Sequence, residues 1–273
     1  MSAAAVPAPL LLEARTTTRR VARTFSLACR LLPRGVRDDV YLLYLFFRSL
    51  DDLVDEGAPD AEQRVAAVET WTRGPLAPAT PEVRLLSALD ARRPLPRQPF
   101  ADFCAGMRHD LEGGTLATEA DVDRYCYRVA GTVGVVMASL LGTHDPAVAH
   151  PAAATLGMAM QRTNILRDID EDRAAGRTYL SREAIERHGP PVPGRRAALM
   201  REQIAHADAL YDRGLTGLEQ LRSGRTAIAA AAGMYREILR QLERDGLGER
   251  PGRAVVPTER KLAVAARAAV RRR

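Results

Sequence analysis

Tyr41-Leu-Leu-Tyr-Leu-Phe-Phe-Arg-Ser-Leu-Asp-Asp-Leu-Val-Asp-Glu56 reads as a helix that starts in a core and ends in acid. Its apolar residues recur at helical spacing, and Asp51, Asp52, Asp55 and Glu56 then crowd its end. A second stretch, Gln161-Arg-Thr-Asn-Ile-Leu-Arg-Asp-Ile-Asp-Glu-Asp172, repeats the pattern with Asp168, Asp170, Glu171 and Asp172. Carboxylates at i and i+4 share one helix face, so Asp51 pairs with Asp55 and Asp168 with Asp172. Like charges so placed repel by roughly 0.2–0.5 kcal/mol per pair in water, and by more against an apolar interior unless a cation sits between them. One acidic group at a helix end is ordinarily a solvated face or a cap. Two alike, each following an apolar run, point to opposed oxygen-rich faces suited to Mg²⁺ and a diphosphate.

Outward from these stretches, apolar residues keep helical spacing almost throughout, and no segment alternates like a strand. The expected fold is all-α, with long helices around one centre. Asp38 and Asp39 are expected to cap the helix that runs to Glu56. Further helices are expected over 61–72, 82–91, 100–111, 119–141, 147–172, 182–187, 194–220 and 226–243. Residues 1–14 and 263–273 are expected to be flexible tails on a single domain spanning 1–273. In Tyr125-Cys-Tyr-Arg-Val-Ala-Gly-Thr-Val-Gly-Val-Val-Met-Ala-Ser139, small residues recur at three- and four-residue spacing. A glycine inside a helix costs about 1 kcal/mol relative to alanine. Gly131 and Gly134 therefore imply a close helix–helix contact or a kinked helix walling a cavity.

Composition sets the outer limits. Of 273 residues, 46% are hydrophobic and 27% charged, which fits a globular protein with a sizeable core. The formal charge is +6, with much of the excess in the last third. Nothing resembling a nucleic-acid recognition motif accompanies it, so no nucleic-acid partner is expected. Cys29, Cys104 and Cys126 show no disulfide or zinc spacing and read as reduced core thiols. No signal peptide or spanning segment is apparent. The expectation is a cytoplasmic protein, at most peripheral to the inner face of the membrane.

Magnesium is usually held by one or two carboxylates plus substrate phosphates and keeps several waters. Arginine grips phosphate with a planar fork, and Arg48, Arg167 and Arg177 flank the two acidic clusters. Loss of diphosphate from an allylic carbon leaves a carbocation, so the rest of such a chamber should be apolar and poor in water. Tyr41, Leu45, Val133, Val136, Met137 and Met160 are candidate lining residues.

Four segments resemble the squalene/phytoene synthase family of head-to-head prenyl transferases: Leu50-Asp-Asp-Leu-Val-Asp-Glu56, Gly106-Met-Arg-His-Asp-Leu111, Tyr125-Cys-Tyr-Arg-Val-Ala-Gly-Thr-Val-Gly134, and Thr163-Asn-Ile-Leu-Arg-Asp-Ile-Asp-Glu-Asp-Arg-Ala-Ala-Gly-Arg-Thr-Tyr-Leu180. The likeness runs from about Val21 to Lys261. It implies an isoprenoid-synthase fold around a central apolar cavity. It implies that Asp51, Asp55, Asn164, Asp168 and Asp172 hold two or three Mg²⁺ ions, with Asp52 close by. Arg48, Arg167 and Arg177 match positions expected to contact diphosphate. Tyr44 and Tyr125 match tyrosines that steady the cation or the leaving group, and Tyr235 falls on the family's late helix. Arg253 looks like the basic residue of its C-terminal segment, although Arg253-Ala-Val-Val-Pro257 departs from the usual pattern. Val133 and Gly134 are expected in the chamber wall, and Phe25 and Cys29 toward its floor. A small Cys29 would admit geranylgeranyl in preference to farnesyl chains.

The reaction implied joins two prenyl diphosphates through a cyclopropylcarbinyl diphosphate, which ionises and rearranges. Proton loss then gives phytoene or dehydrosqualene, whereas hydride from NADPH gives squalene. The third and fourth motifs lie nearer the phytoene and dehydrosqualene side, so no NADPH requirement is expected, whereas Phe47-Arg-Ser-Leu-Asp51 leans toward squalene synthases and leaves the final product open. Two alternatives share the fold: a terpene cyclase that ionises a single prenyl diphosphate, and a non-catalytic relative kept as an assembly module. The presence of Asp51, Asp55, Asp168 and Asp172 argues against the second.

Overall fold

A computed structural model describes residues 8–74 and 80–270. Its elements in order are α1 (Ala8–Val21), α2 (Arg23–Cys29), α3 (Arg34–Asp55), α4 (Ala61–Arg73), α5 (Pro81–Arg92), α6 (Arg97–Leu111), α7 (Glu119–Cys126), a π-turn (Tyr127–Gly131), α8 (Thr132–Leu141), α9 (Pro146–Ala174), α10 (Arg182–His188), α11 (Ala197–Leu215), a 3₁₀ turn (Thr216–Gln220), α12 (Arg225–Arg244) and α13 (Thr258–Val270). Among the described residues there is no strand beyond one isolated bridge, Thr143 to Leu221. No described helix is long and apolar enough to cross a membrane.

Local chemistry sets many of the boundaries. The Thr80, Asp145 and Ser181 side chains accept backbone N–H groups at the starts of α5, α9 and α10, and Thr118 and Asp121 form a reciprocal capping box on α7. Helix α3 begins at Arg34, so Asp38 and Asp39 lie inside it and do not cap it. Asp38 pairs with Arg15 of α1. Asp39 is buried and receives Arg92 Nε at 2.8 Å and Arg93 Nε at 3.1 Å from the end of α5. The pair fixes α5 against α3, a long-range use that a sequence pattern does not distinguish from a cap.

The flexible tails expected over 1–14 and 263–273 are helical where they are described. Leu10 and Leu11 of α1 pack on the main core, and Ala14 is fully buried. Val264, Ala265 and Ala268 of α13 pack against Ala28, Ala230, Ala231 and Met234. Residues 1–7 and 271–273 lie outside the described residues.

The core gathers on both sides of α9. On one side Phe46 and Phe47 of α3 meet Phe100 and Phe103 of α6 and Trp71 of α4, with Phe47 and Phe103 ring centroids 4.7 Å apart. Each such ring contributes about 1.5–3 kcal/mol by burial. Cys29, Cys104 and Cys126 are free and buried, and burial pushes each thiol up to about 12.

Helix α9 touches both α8 and the π-turn before it backbone to backbone. A Cβ added at Gly134 would stand 2.2 Å from the Ala153 carbonyl oxygen, and one at Gly157 would stand 2.2 Å from that of Ala130. No flexible side chain is there to give way. Gly157→Ala should therefore lower the thermal midpoint by an amount equivalent to at least about 1–3 kcal/mol. Gly35→Ala, where a Cβ meets nothing within 4 Å, should leave it unchanged or slightly raised. Calorimetric melting of both variants checks this.

Candidate active site

A cavity of about 630 Å³ runs between α3, α6, α8, α9 and α12. Its mouth is charged and its depth apolar. Asp51 and Asp55 enter from α3 with Arg48 and Tyr44, and Asn164, Arg167, Asp168 and Asp172 enter from α9. Arg177 comes from the loop after α9, Tyr235 from α12 and Arg253 from the segment before α13. Tyr125 closes one side, and Phe25, Val133, Gly134, Met137 and Met160 line the interior.

The two banks face each other across this mouth. Burial first, then Asp168, raises the Asp172 carboxyl on α9, and the charge of Asp55 on α3 adds a smaller push in the same direction across the mouth. Arg177 donates Nη1–H to Asp55 at 2.6 Å, tying the loop after α9 to the end of α3. Arg167 holds Asp168 through both carboxylate oxygens, at 2.7 and 2.6 Å. Arg253 approaches the same carboxylate at 3.0 Å. Arg48 bridges Asp51 at 3.3 Å and also Asp52. Thus the self-repulsion of the acids is offset by four arginines, one drawn from each surrounding segment.

Among the described residues, no three His, Cys, Asp or Glu side chains converge tightly enough to form an ion cage by themselves. The donor set still suits a hard cation. It is made of oxygens, and Asn164 Oδ1 is buried with no hydrogen-bond partner. Mg²⁺ retains waters and borrows phosphate oxygens, so it does not need a cage made wholly of protein.

Of the residues singled out from sequence, Asp52 and Cys29 are absent from the wall. Asp52 turns to Arg48 beside the mouth. Cys29 is 1% exposed and packed within the core. Tyr41, Leu45 and Val136 are likewise core residues, not lining residues. The depth of the cavity is set instead by small side chains at the crossing of α8, α9 and α11, namely Gly134, Ala138, Ala149, Ala153, Gly214 and Gly217. Asp170, part of the second acidic cluster, points elsewhere and pairs with Arg196.

Two residues went unassigned in the sequence. Asp110, in the Gly106–Leu111 motif, lines the cavity and accepts the Tyr125 hydroxyl at 3.1 Å. Tyr179 stacks on Tyr125 with centroids 5.1 Å apart and planes 18° apart. Their signal was present, since both lie in family-like motifs, but neither had a sequence partner at helical spacing.

The π-turn explains how one helical run supplies so much wall. Tyr125, Val129, Val133, Met137 and Leu141 all line the cavity at four-residue intervals. On an unbroken α-helix, at about 100° per residue, the first and last would lie about 160° apart. The extra residue absorbed by 127–131 brings that to about 60°.

A deep apolar cavity with carboxylate banks from two helices at its mouth, in an all-helical chain, is an isoprenoid-synthase fold. The squalene/phytoene synthase family profile matches residues 18–260. The phytoene synthase of Thermus thermophilus is 42% identical, covering 82% of this chain and 80% of that protein. The 15-cis-phytoene synthase of Synechococcus elongatus is 36% identical over 92% of this chain and 89% of its own. A ligand-bound dehydrosqualene synthase crystal structure superposes with a TM-score of 0.87 at 28% identity, covering 96% of each chain. The chain belongs to the squalene/phytoene synthase family. It is a prenyltransferase of the head-to-head type, and the single-substrate cyclase reading is not favoured.

Burial first, then the neighbouring Asp55, pushes Asp51 up to about 7, although its side chain faces the cavity void. Burial also pushes Asp110 up to about 6, and burial then Asp168 pushes Asp172 up to about 6. Each carboxyl keeps its proton to a higher pH when folded than when unfolded. The stability so gained is full below the ordinary carboxylate range and is lost as pH climbs through the folded values. In the absence of divalent metal, the melting temperature should fall between about pH 5 and pH 7.5, and Asp51→Asn should flatten that fall. Thermal melts in chelator across this range check it.

Proposed function

We propose that the enzyme joins two geranylgeranyl diphosphates and ends by proton loss, giving phytoene. The observation that carries this is the pair of carboxylate banks opposed across the mouth of one long apolar cavity. The residues Ala149 and Asp168 both line it, and the intervening stretch of α9 is about 28 Å long at roughly 1.5 Å per residue. That exceeds an extended chain of four isoprene units. The small residues at the α8–α9–α11 crossing leave the far end open to such a chain. The relatives named phytoene synthase support the same choice.

In this reading Asp51, Asp55, Asn164, Asp168 and Asp172 hold Mg²⁺, two or three ions in all. Mg²⁺ bound there would supply Lewis-acid stabilisation of the departing diphosphate. Arg48, Arg167, Arg177 and Arg253 exchange their carboxylate partners for diphosphate oxygens and orient it. Tyr44 and Tyr235 stand between mouth and chamber. Burial raises both phenols, Tyr44 to about 12, so both stay neutral. Tyr125 is also kept neutral by burial. It offers a ring face to the cation and a hydroxyl already oriented by Asp110. Phe25, Val133 and Gly134 contact the prenyl chains and exclude water, which protects the carbocation. No NADPH is needed for a deprotonating end step. The product is a water-insoluble hydrocarbon, which supports peripheral contact with the cytoplasmic membrane face.

Two measurements test the reading. Purified enzyme with Mg²⁺ and geranylgeranyl diphosphate should form a C40 hydrocarbon without NADPH, and faster than farnesyl diphosphate forms a C30 product. A clear farnesyl preference would overturn the chain-length assignment. Asp51→Asn or Asp168→Asn should lower turnover about 100-fold or more with helicity unchanged by circular dichroism, and near-normal turnover would refute the metal assignment.

A further inference from the structure

Arg253 sits on a stretch with no regular structure. Between α12 and α13 the chain passes through Gly246, Leu247, Gly248 and Gly252, all at positive φ, before reaching Arg253. Local turn bonds hold only its start, with the Leu247 N–H on the Leu242 carbonyl at 2.8 Å and the Glu249 N–H on the Gly246 carbonyl at 3.2 Å. Yet Arg253 lines the cavity mouth and reaches Asp168, and it also lines a second, more polar cavity of about 440 Å³ behind it.

The strap is fixed from below. Asp170 lies two residues past Asp168, about 200° around α9 at roughly 100° per residue, and so faces away from the chamber. Its carboxylate takes both ends of the Arg196 guanidinium, at 2.6 and 2.8 Å. The same carboxylate accepts the Gly252 N–H at 2.8 Å, the peptide next to Arg253. Arg196 is 4% exposed and lies flat beneath the strap. A Cβ at Gly248 would stand 2.1 Å from its Nε, and its Nη2 approaches the Arg250 carbonyl at 3.5 Å. The Gly194 N–H adds a bond to the Gly248 carbonyl at 3.3 Å. Beyond Arg253, buried Ala254 and Val256 pin the strap into the core.

We propose that Asp170 and Arg196 are positioning residues, a buried ion pair that holds the 246–254 strap in the register placing Arg253 over Asp168. The inference rests on the reading of Arg253 as a diphosphate contact. It assigns the same short acidic run two jobs on opposite faces of α9. Asp168 and Asp172 face the chamber, while Asp170 braces the arm that returns to it. A bidentate Arg–carboxylate pair is geometrically specific, which suits a brace better than a single hydrogen bond.

The test is a double-mutant cycle with a second, structural readout. Affinity for inorganic diphosphate in the presence of Mg²⁺ is measured by calorimetry on wild type, Asp170→Ala, Arg253→Ala and the double variant. Hydrogen exchange is followed over 246–257. Because Asp170→Ala strands a buried guanidinium, a second variant carrying Asp170→Leu with Arg196→Met is run beside it. Expected are faster exchange across the strap and roughly tenfold weaker diphosphate binding, a loss that vanishes when Arg253 is already alanine. Equal losses in both backgrounds, or unchanged strap exchange, would overturn the brace. If Arg253→Ala alone binds diphosphate like wild type, the assignment of Arg253 fails. Strap exchange then still decides the brace, faster exchange supporting it and unchanged exchange refuting it.

Discussion

Like charges held close together at the edge of an apolar chamber are the constraint around which this molecule is organised. Asp51, Asp55, Asp110, Asp168 and Asp172 share one mouth, and burial works against the ionisation of three of them. Such an arrangement persists only when opposite charge is supplied beside it. Arg177 comes from a loop, Arg253 from a strap, and Arg48 and Arg167 from the helices themselves. Distant segments therefore close over the site because the carboxylates require their charge. In the proposed reaction the same arginines would turn to phosphate once other cations satisfied the acids, so one set of groups would serve both the resting and the loaded site.

The chamber has an opposite requirement, space without polarity. Side-chain volume is removed where α8 crosses α9, and the two backbones approach until glycine alone fits at 134 and 157. That contact is made on the flank of the cavity, and small residues continue along the wall to its far end. Packing and the room in the cavity are in this way set by one crossing. The sequence expectation of either a close contact or a kinked helix was too narrow, since a π-turn ending at Gly131 and a close backbone contact at Gly134 both occur.

Much of this was legible beforehand. The i, i+4 spacing of Asp51 with Asp55 and of Asp168 with Asp172 put each pair on one face, because helical phase is a local property. Phe25, Tyr44, Tyr125 and Tyr235 all reach the cavity. What failed was non-local. Cys29 lies one turn from Phe25 but is turned into the core. Asp39 looked like a cap until α5 delivered two arginines to it. Asp170 stood in the second acidic cluster with no role of its own until Arg196 supplied one. In each case the deciding partner lies at least 26 residues away or belongs to the packing of a whole helix, and no window of sequence carries that information.

The π-turn at 127–131 also bears on how this chain can vary through descent. Loss of a single residue there would restore a regular spiral, with no cost to the helical backbone hydrogen bonds. Every side chain upstream would then rotate by about 100° relative to those downstream. Tyr125 would leave its aspartate while the hydrophobic lining stayed in place. Insertions and deletions tolerated in ordinary loops would be ruinous at this point, so the phase error is itself an inherited part of the catalyst.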